Sequence, residues 1–254
     1  MTDTQNPQLS DFPKFQKTIE DHLPDTVSLD EYFQRSSGRL RKYGFVDENT
    51  LGVVATCRDE IATPLAGAII RHWGLTFNWR SLGGFLLLGK TGIKTAISHA
   101  PNSNGRRRFV LYAMPHIAIS EAGEIGVVVR EGIHETSHAC GSLEAVIAQL
   151  KSGNNNVDLD MEDLEQSCVK QKLVSHLYQG QKPDLMEMTK LACEIIQQDA
   201  DHLLGEIADP SEYDYAYMTG ILIHGPRDTH WVCPKRSMVV STMLDRAKKA
   251  IFDL

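Results

Sequence analysis

The spacing of apolar positions changes several times along the chain, and each change marks an element. Phe15, Ile19 and Leu23 recur every four residues, the period of one helix face, and Pro24 closes that stretch. Ser28-Leu29-Asp30-Glu31 then has the Ser-x-x-Glu spacing of a capping box and starts a second helix, to about Leu40. Leu51-Gly52-Val53-Val54-Ala55-Thr56 is apolar throughout, β-rich and too short for a helix, which predicts a buried strand. It runs into a polar turn, Cys57-Arg58-Asp59-Glu60, and a helical stretch to about Trp73 with Pro64 in its first turn. Strand, turn and helix in that order form the first half of a βαβ unit.

Further apolar runs at 85–88, 93–97, 108–114, 117–119 and 126–129 predict strands, separated by glycines, Pro101 and Pro115. Helices are predicted over 142–150, 161–177 and 183–204, with a loop at 151–156. Strands at 220–224 and 231–233 and a terminal helix from about Met238 complete the pattern. No repeat of 20–50 residues is present. The expectation is an α/β fold with a mainly parallel central sheet flanked by helices. A flexible tail at 1–13 precedes a single domain at 14–254, whose helical additions lie at 14–42, at 157–205 and at the C-terminus.

One motif matches by spelling only. Gly84-Phe85-Leu86-Leu87-Leu88-Gly89-Lys90-Thr91 fits the phosphate-binding loop pattern G-x-x-x-x-G-K-[ST]. Four bulky apolar residues suit a buried strand better than a solvated loop wrapped around phosphate. Nothing after Thr91 signals the helix such a loop must open. The nucleotide reading is set aside.

Charge and composition narrow the function. With 26 basic and 33 acidic residues the net charge is −7, which argues against a nucleic-acid binder. No apolar run reaches the ~18–20 residues of a membrane span. The N-terminal stretch has neither a signal-peptide nor a transit-peptide pattern, so a cytoplasmic protein is expected, or a stromal one after removal of a transit peptide. Five widely spaced cysteines do not form a disulfide framework and need separate explanations.

Cys57 directly follows the first buried strand, where ligands collect in open α/β sheets. Asp59 and Arg58 on the same turn can pair and hold the carboxylate ionised. An isolated cysteine of this kind is otherwise a half-buried thiol beside a surface ion pair. His116 interrupts two β-rich runs, either hydrogen-bonded in the core or pointed into a site. Cys140 precedes a predicted helix, whose N-terminus favours a thiolate. Two thiolates and an imidazole suit Zn2+ and leave a fourth position open. His134 and His138 compete as nitrogen ligands, Cys168 and Cys193 fall in helical patterns, and Cys233 with His224 and His230 forms a second metal candidate in a Pro-rich turn. Cys57 as a nucleophile with His116 as base would instead give a cysteine hydrolase.

These segments, taken in order, carry a resemblance. Cys57-Arg58-Asp59-Glu60, Gly89-Lys90-Thr91-Gly92, Met114-Pro115-His116-Ile117-Ala118-Ile119, Ala139-Cys140-Gly141 and Thr219-Gly220-Ile221-Leu222-Ile223-His224-Gly225 together resemble the limiting-CO2-inducible protein B/C family. The resemblance implies a fold akin to β-carbonic anhydrases, a homodimer or higher homo-oligomer, and zinc held by Cys57, His116 and Cys140. It implies CO2 and bicarbonate as substrates. The expected mechanism is hydroxide generated on zinc, with an apolar wall from the segments around 85–88 holding CO2. A family member without turnover would instead carry zinc and act in inorganic-carbon handling by assembly. Ordinary β-carbonic anhydrases have C-x-D-x-R and H-x-x-C. Here Cys57-x-Asp59 is intact, but Ile61 stands at the arginine position and Ser137 at the histidine position. Arg58 is the nearest candidate to complete a catalytic pair with Asp59, with Arg39, Arg41 and Arg130 as others.

Overall fold

A computed structural model describes residues 8–130, 136–244 and 248–250. In chain order these form α1 (Pro13–His22), β1 (Val27–Ser28), α2 (Leu29–Arg41), β2 (Leu51–Thr56), α3 (Thr63–Trp73), β3 (Thr76–Asn78), α4 (Gly89–Ser98), β4 (Asn102–Ser103) and β5 (Arg106–Met114). They continue as β6 (His116–Ala118), β7 (Val127–Val128), β8 (Ser137–His138), α5 (Gly141–Lys151), α6 (Leu164–Val174), α7 (Leu185–Ile207), β9 (Tyr213–His224), β10 (His230–Val240) and β11 (Lys248–Ala250).

The sheet order is β1-β10-β9-β5-β2-β3. Its centre is parallel: β3, β2, β5 and β9 run the same way, and β6 continues alongside β9. Pro115 lies between β5 and β6, so the ladder to β9 continues past a residue that has no amide proton to donate. β10 and β1 add an antiparallel edge. Alternation along β9 divides the core. Leu222 joins the large cluster with β2, β5 and α7, while Ile221 and Ile223 face Phe15, Ile19 and Leu23 of the first helix and its end. Phe12 belongs to this second cluster and Leu9 packs against it. No described helix is long and apolar enough to cross a membrane.

The structure departs from the sequence pattern in two places. Residues 85–88 and 93–97 are not strands: 89–98 is a helix that buries Ile93, Ala96 and Ile97 on one face. That i, i+3, i+4 spacing is a helix period, which the β-branched composition masked. A helix therefore does open at Gly89, yet Phe85 and Leu86 before it are buried in the core, and Lys90 pairs with Glu206 at 2.5 Å. The first glycine of the motif has a different reason to be there. Gly84 has φ +78°, and a Cβ on it would lie 2.6 Å from the Met114 carbonyl oxygen. The second departure is at the C-terminus: Met238–Val240 continues β10 against β9 and pairs with β11, where a helix was expected.

The end of the sheet away from Cys57 is tied by a buried ion pair. Arg106 and Arg108 of β5 meet Asp214 of β9, whose side chain is fully buried, at 2.8 and 3.1 Å, and the Thr242 amide donates to it at 2.9 Å. Burial raises the Asp214 pKa, but the Arg106 hydrogen bond, the Thr242 amide and the charges of both arginines outweigh it and hold it below the ordinary aspartate value. A carboxylate depressed in the folded state stabilises the fold above its unfolded pKa of ~3.9, and the contribution is lost as pH falls through the lower folded value. Asp214→Asn is therefore expected to cost about 3 kcal/mol at neutral pH. The gap from wild type should begin to narrow below about pH 4 and close only as pH falls through the lower folded value. Urea unfolding at fixed protein concentration measures it. A change within the ±0.5 kcal/mol typical of surface substitutions would contradict it.

Candidate metal centre

Cys57 sits one residue past the carboxyl end of β2, and Thr56 pairs with Met114 at the end of the neighbouring parallel strand. Two residues beyond Met114, His116 begins β6. Cys57 and His116 are thus brought together by strand register, although they stand 59 positions apart in sequence. The segment carrying Cys140 is tied to the same strand: the Ala118 amide donates to the Ala139 carbonyl at 3.3 Å, and Gly126 bridges the two through 2.7 and 3.0 Å backbone bonds. Cys140 then caps α5. All three side chains are buried, and one ligand atom from each lies within 4.8 Å of the others. Among the described residues this is the group of metal-ligating side chains that meets those distances.

The two sulfurs are 3.7 Å apart and both cysteines are free. The hydrogen bond from Cys140, reinforced by His116, brings the Cys57 pKa down against the cost of burial. The same bond and burial push Cys140 up, while the Leu143 and Ser142 amides at the start of α5 act in the opposite direction. One proton is shared between two sulfurs that a cation would displace it from. His116 Nε2 is buried and has no hydrogen-bond partner, an arrangement that suits a ligand nitrogen. These donors fit a metal.

Asp59 stands at the edge of the cluster, its Oδ2 3.9 Å from His116 Nε2. Its partner is Arg130, whose Nη2 lies 3.1 Å from the same oxygen and which also contacts Glu60. Arg58 does not make the expected pair. It follows a buried residue on an outward turn, is 58% exposed, and binds Glu165 of α6 at 2.9 Å. Arg39 and Arg41 lie in the last turn of α2. Arg80, which belongs to no motif, splints the turn by donating to the carbonyls of Cys57 (2.8 Å) and Asp59 (2.6 Å). Its only signal would have been a basic residue just after an edge strand.

The other candidates separate. His138 is exposed and pairs with Glu144 at 3.0 Å, and His134 lies outside the described residues. Cys193 donates to the Gly220 carbonyl and Cys233 to that of Pro24, while Cys168 is half-buried on α6. Cys233 is therefore engaged away from the two histidines it was grouped with. His224 instead meets His116, Nε2 to Nδ1 at 2.9 Å, and its own Nδ1 lies 3.3 Å from His230 Nδ1. Burial, then the neighbouring charges, holds His224 well below the ordinary imidazole value, and burial lowers His230 as well. Beside them opens a cavity of ≈ 980 Å3 lined in part by Glu60, Ile61, Val128, Arg130, His224 and His230. Phe85 and Leu86 belong to the core rather than to this cavity.

Residues 26–241 match the family described as limiting CO2-inducible proteins B/C beta carbonic anhydrases, and the chain belongs to that family. Among solved structures it is similar to limiting CO2-inducible protein LCIB, at 29% identity over 91% of this chain and 96% of that one, with TM-score 0.76. It also shares the fold of PtLCIB4, an LCIB homologue, at 22% identity and TM-score 0.79 over 92% of this chain and 98% of that one. No curated protein matches it significantly.

Proposed function

We propose that this chain is a zinc-dependent carbonic anhydrase that interconverts CO2 and bicarbonate. The observation that carries the reading is the buried convergence of Cys57, His116 and Cys140 beside a carboxylate held by an arginine. Membership of a family related to β-carbonic anhydrases supports it. Cys57 and Cys140 as thiolates balance the charge of Zn2+, and His116 Nε2 supplies the third ligand. A zinc ion there would act as a Lewis acid, lowering the pKa of water towards neutrality.

The chain's own residues supply orientation. Arg130 pairs with the Asp59 carboxylate and fixes which way Oδ2 points. Asp59 can then accept a hydrogen bond from a water or hydroxide at the cluster, so that the remaining lone pair faces incoming CO2. The burial of the three ligands keeps bulk water from competing at the site.

Stopped-flow CO2 hydration paired with metal analysis of the same sample tests this reading. The expected result is about one zinc per chain and hydration activity that is lost on chelation. Stoichiometric zinc with no hydration from pH 7 to 9 would overturn the enzymatic reading and favour a zinc-bearing homologue that acts by assembly.

A further inference from the structure

Behind the proposed ligand His116, three more side chains form a line outward. His116 Nδ1 faces His224 Nε2 at 2.9 Å, His224 Nδ1 faces His230 Nδ1 at 3.3 Å, and His230 Nε2 faces Asp228 Oδ1 at 3.6 Å. The register places them there: His224 ends β9, His230 begins β10, and the two are paired across the hairpin. Exposure rises along the line. His116 and His224 are buried, the His230 side chain is 14% exposed, and Asp228 is 97% exposed.

We propose that His224 and His230 are positioning residues that fix the tautomer of His116, so that its Nε2 presents a lone pair to the metal. The inference rests on the zinc reading above. A neutral imidazole has one N–H and one lone pair, so a line of imidazoles has two possible directions. In the outward direction His116 Nδ1–H donates to His224, His224 Nδ1–H donates to His230, and His230 Nε2–H points at the Asp228 carboxylate. Every proton then faces an acceptor. In the inward direction His116 would carry its proton on Nε2, a buried atom with no partner within hydrogen-bond distance, the Asp59 carboxylate standing 3.9 Å away, and that proton would occupy the position a metal needs. The other end would set the His230 Nε2 lone pair against a carboxylate. Both ends favour the outward direction, the one a metal ligand requires.

Two readouts on the full chain test it. In the protein as purified, long-range 1H–15N spectra at neutral pH should show His116 and His224 protonated on Nδ1 and His230 on Nε2. A His224 protonated on Nε2 would overturn the proposal, and this measurement needs no variant. Zinc affinity by chelator competition should fall about 10–100-fold in His224→Phe. It should recover in His224→Gln, whose amide can accept from one side and donate to the other. Unchanged affinity in a folded His224→Phe protein would also overturn it. A wild-type protein that binds no zinc would refute the metal reading instead, while the tautomer pattern would still decide the direction of the line.

Discussion

Cys57→Ser and Cys140→Ser are each expected to take zinc from about one per chain to background. CO2 hydration should fall with it, on the order of 1,000-fold or more. Serine has nearly the shape of cysteine, so little changes in packing around these two buried positions. The loss is chemical. A thiol deprotonates readily beside a cation, whereas an alcohol does not ionise near neutral pH and supplies no charge to balance Zn2+. Removing one thiolate also leaves a buried dication with a single anionic ligand, an arrangement that desolvation strongly disfavours. Cys193→Ser is the control. Its thiol hydrogen-bonds the Gly220 carbonyl, away from the cluster, and zinc content should be unchanged. Metal analysis of the three variants decides the matter, and stoichiometric zinc in Cys57→Ser or Cys140→Ser would sink the ligand assignment.

The contrast among cysteines shows what was legible before the fold was known. Short-range signals read well. The Ser28 side chain does accept the Glu31 amide, and 51–56 is a fully buried strand. Each residue there reports on its own neighbourhood, and local composition suffices. The failures also have local causes. Ile93 and Ile97 sit among threonines and glycines whose composition suggests a strand, and only burial against the α7 layer makes the segment a helix. The Met238 region continues as strand because β9 extends far enough to pair with it.

The site was legible in part, for a related reason. Cys57, His116 and Cys140 can be ranked one by one from strand ends and a helix start, but nothing in their spacing says that they meet. Parallel pairing of β2 and β5 and the backbone ties of Ala118 and Ala139 bring them together. The histidine line is similar: His224 and His230 read as a turn cluster until the β9–β10 register aligns them behind His116.

Arg130→Met should lower kcat for CO2 hydration by about 10–100-fold at unchanged zinc content, whereas Arg58→Ala should stay within about twofold. Sequence proximity favours Arg58, and the C-x-D-x-R pattern would put the arginine at 61, where this chain has Ile. The geometry assigns the partner to neither. Arg58 points outward to Glu165 in an exposed pair of the kind that contributes little. Arg130 reaches Asp59 from a point 71 residues further along, with both side chains largely buried, 17% and 13% exposed. A charge-assisted bond in that setting contributes about 1.5–3 kcal/mol, or roughly one to two powers of ten in rate. Methionine keeps much of the side-chain bulk, so the loss reports on the ion pair rather than on packing. Asp59→Asn should reproduce the loss of activity with zinc retained, because its amide no longer provides a carboxylate to orient the reacting water. Stopped-flow rates normalised to bound zinc distinguish the two arginines, and an Arg58→Ala loss as large as that of Arg130→Met would show that the pairing at Asp59 is not what orients the reaction.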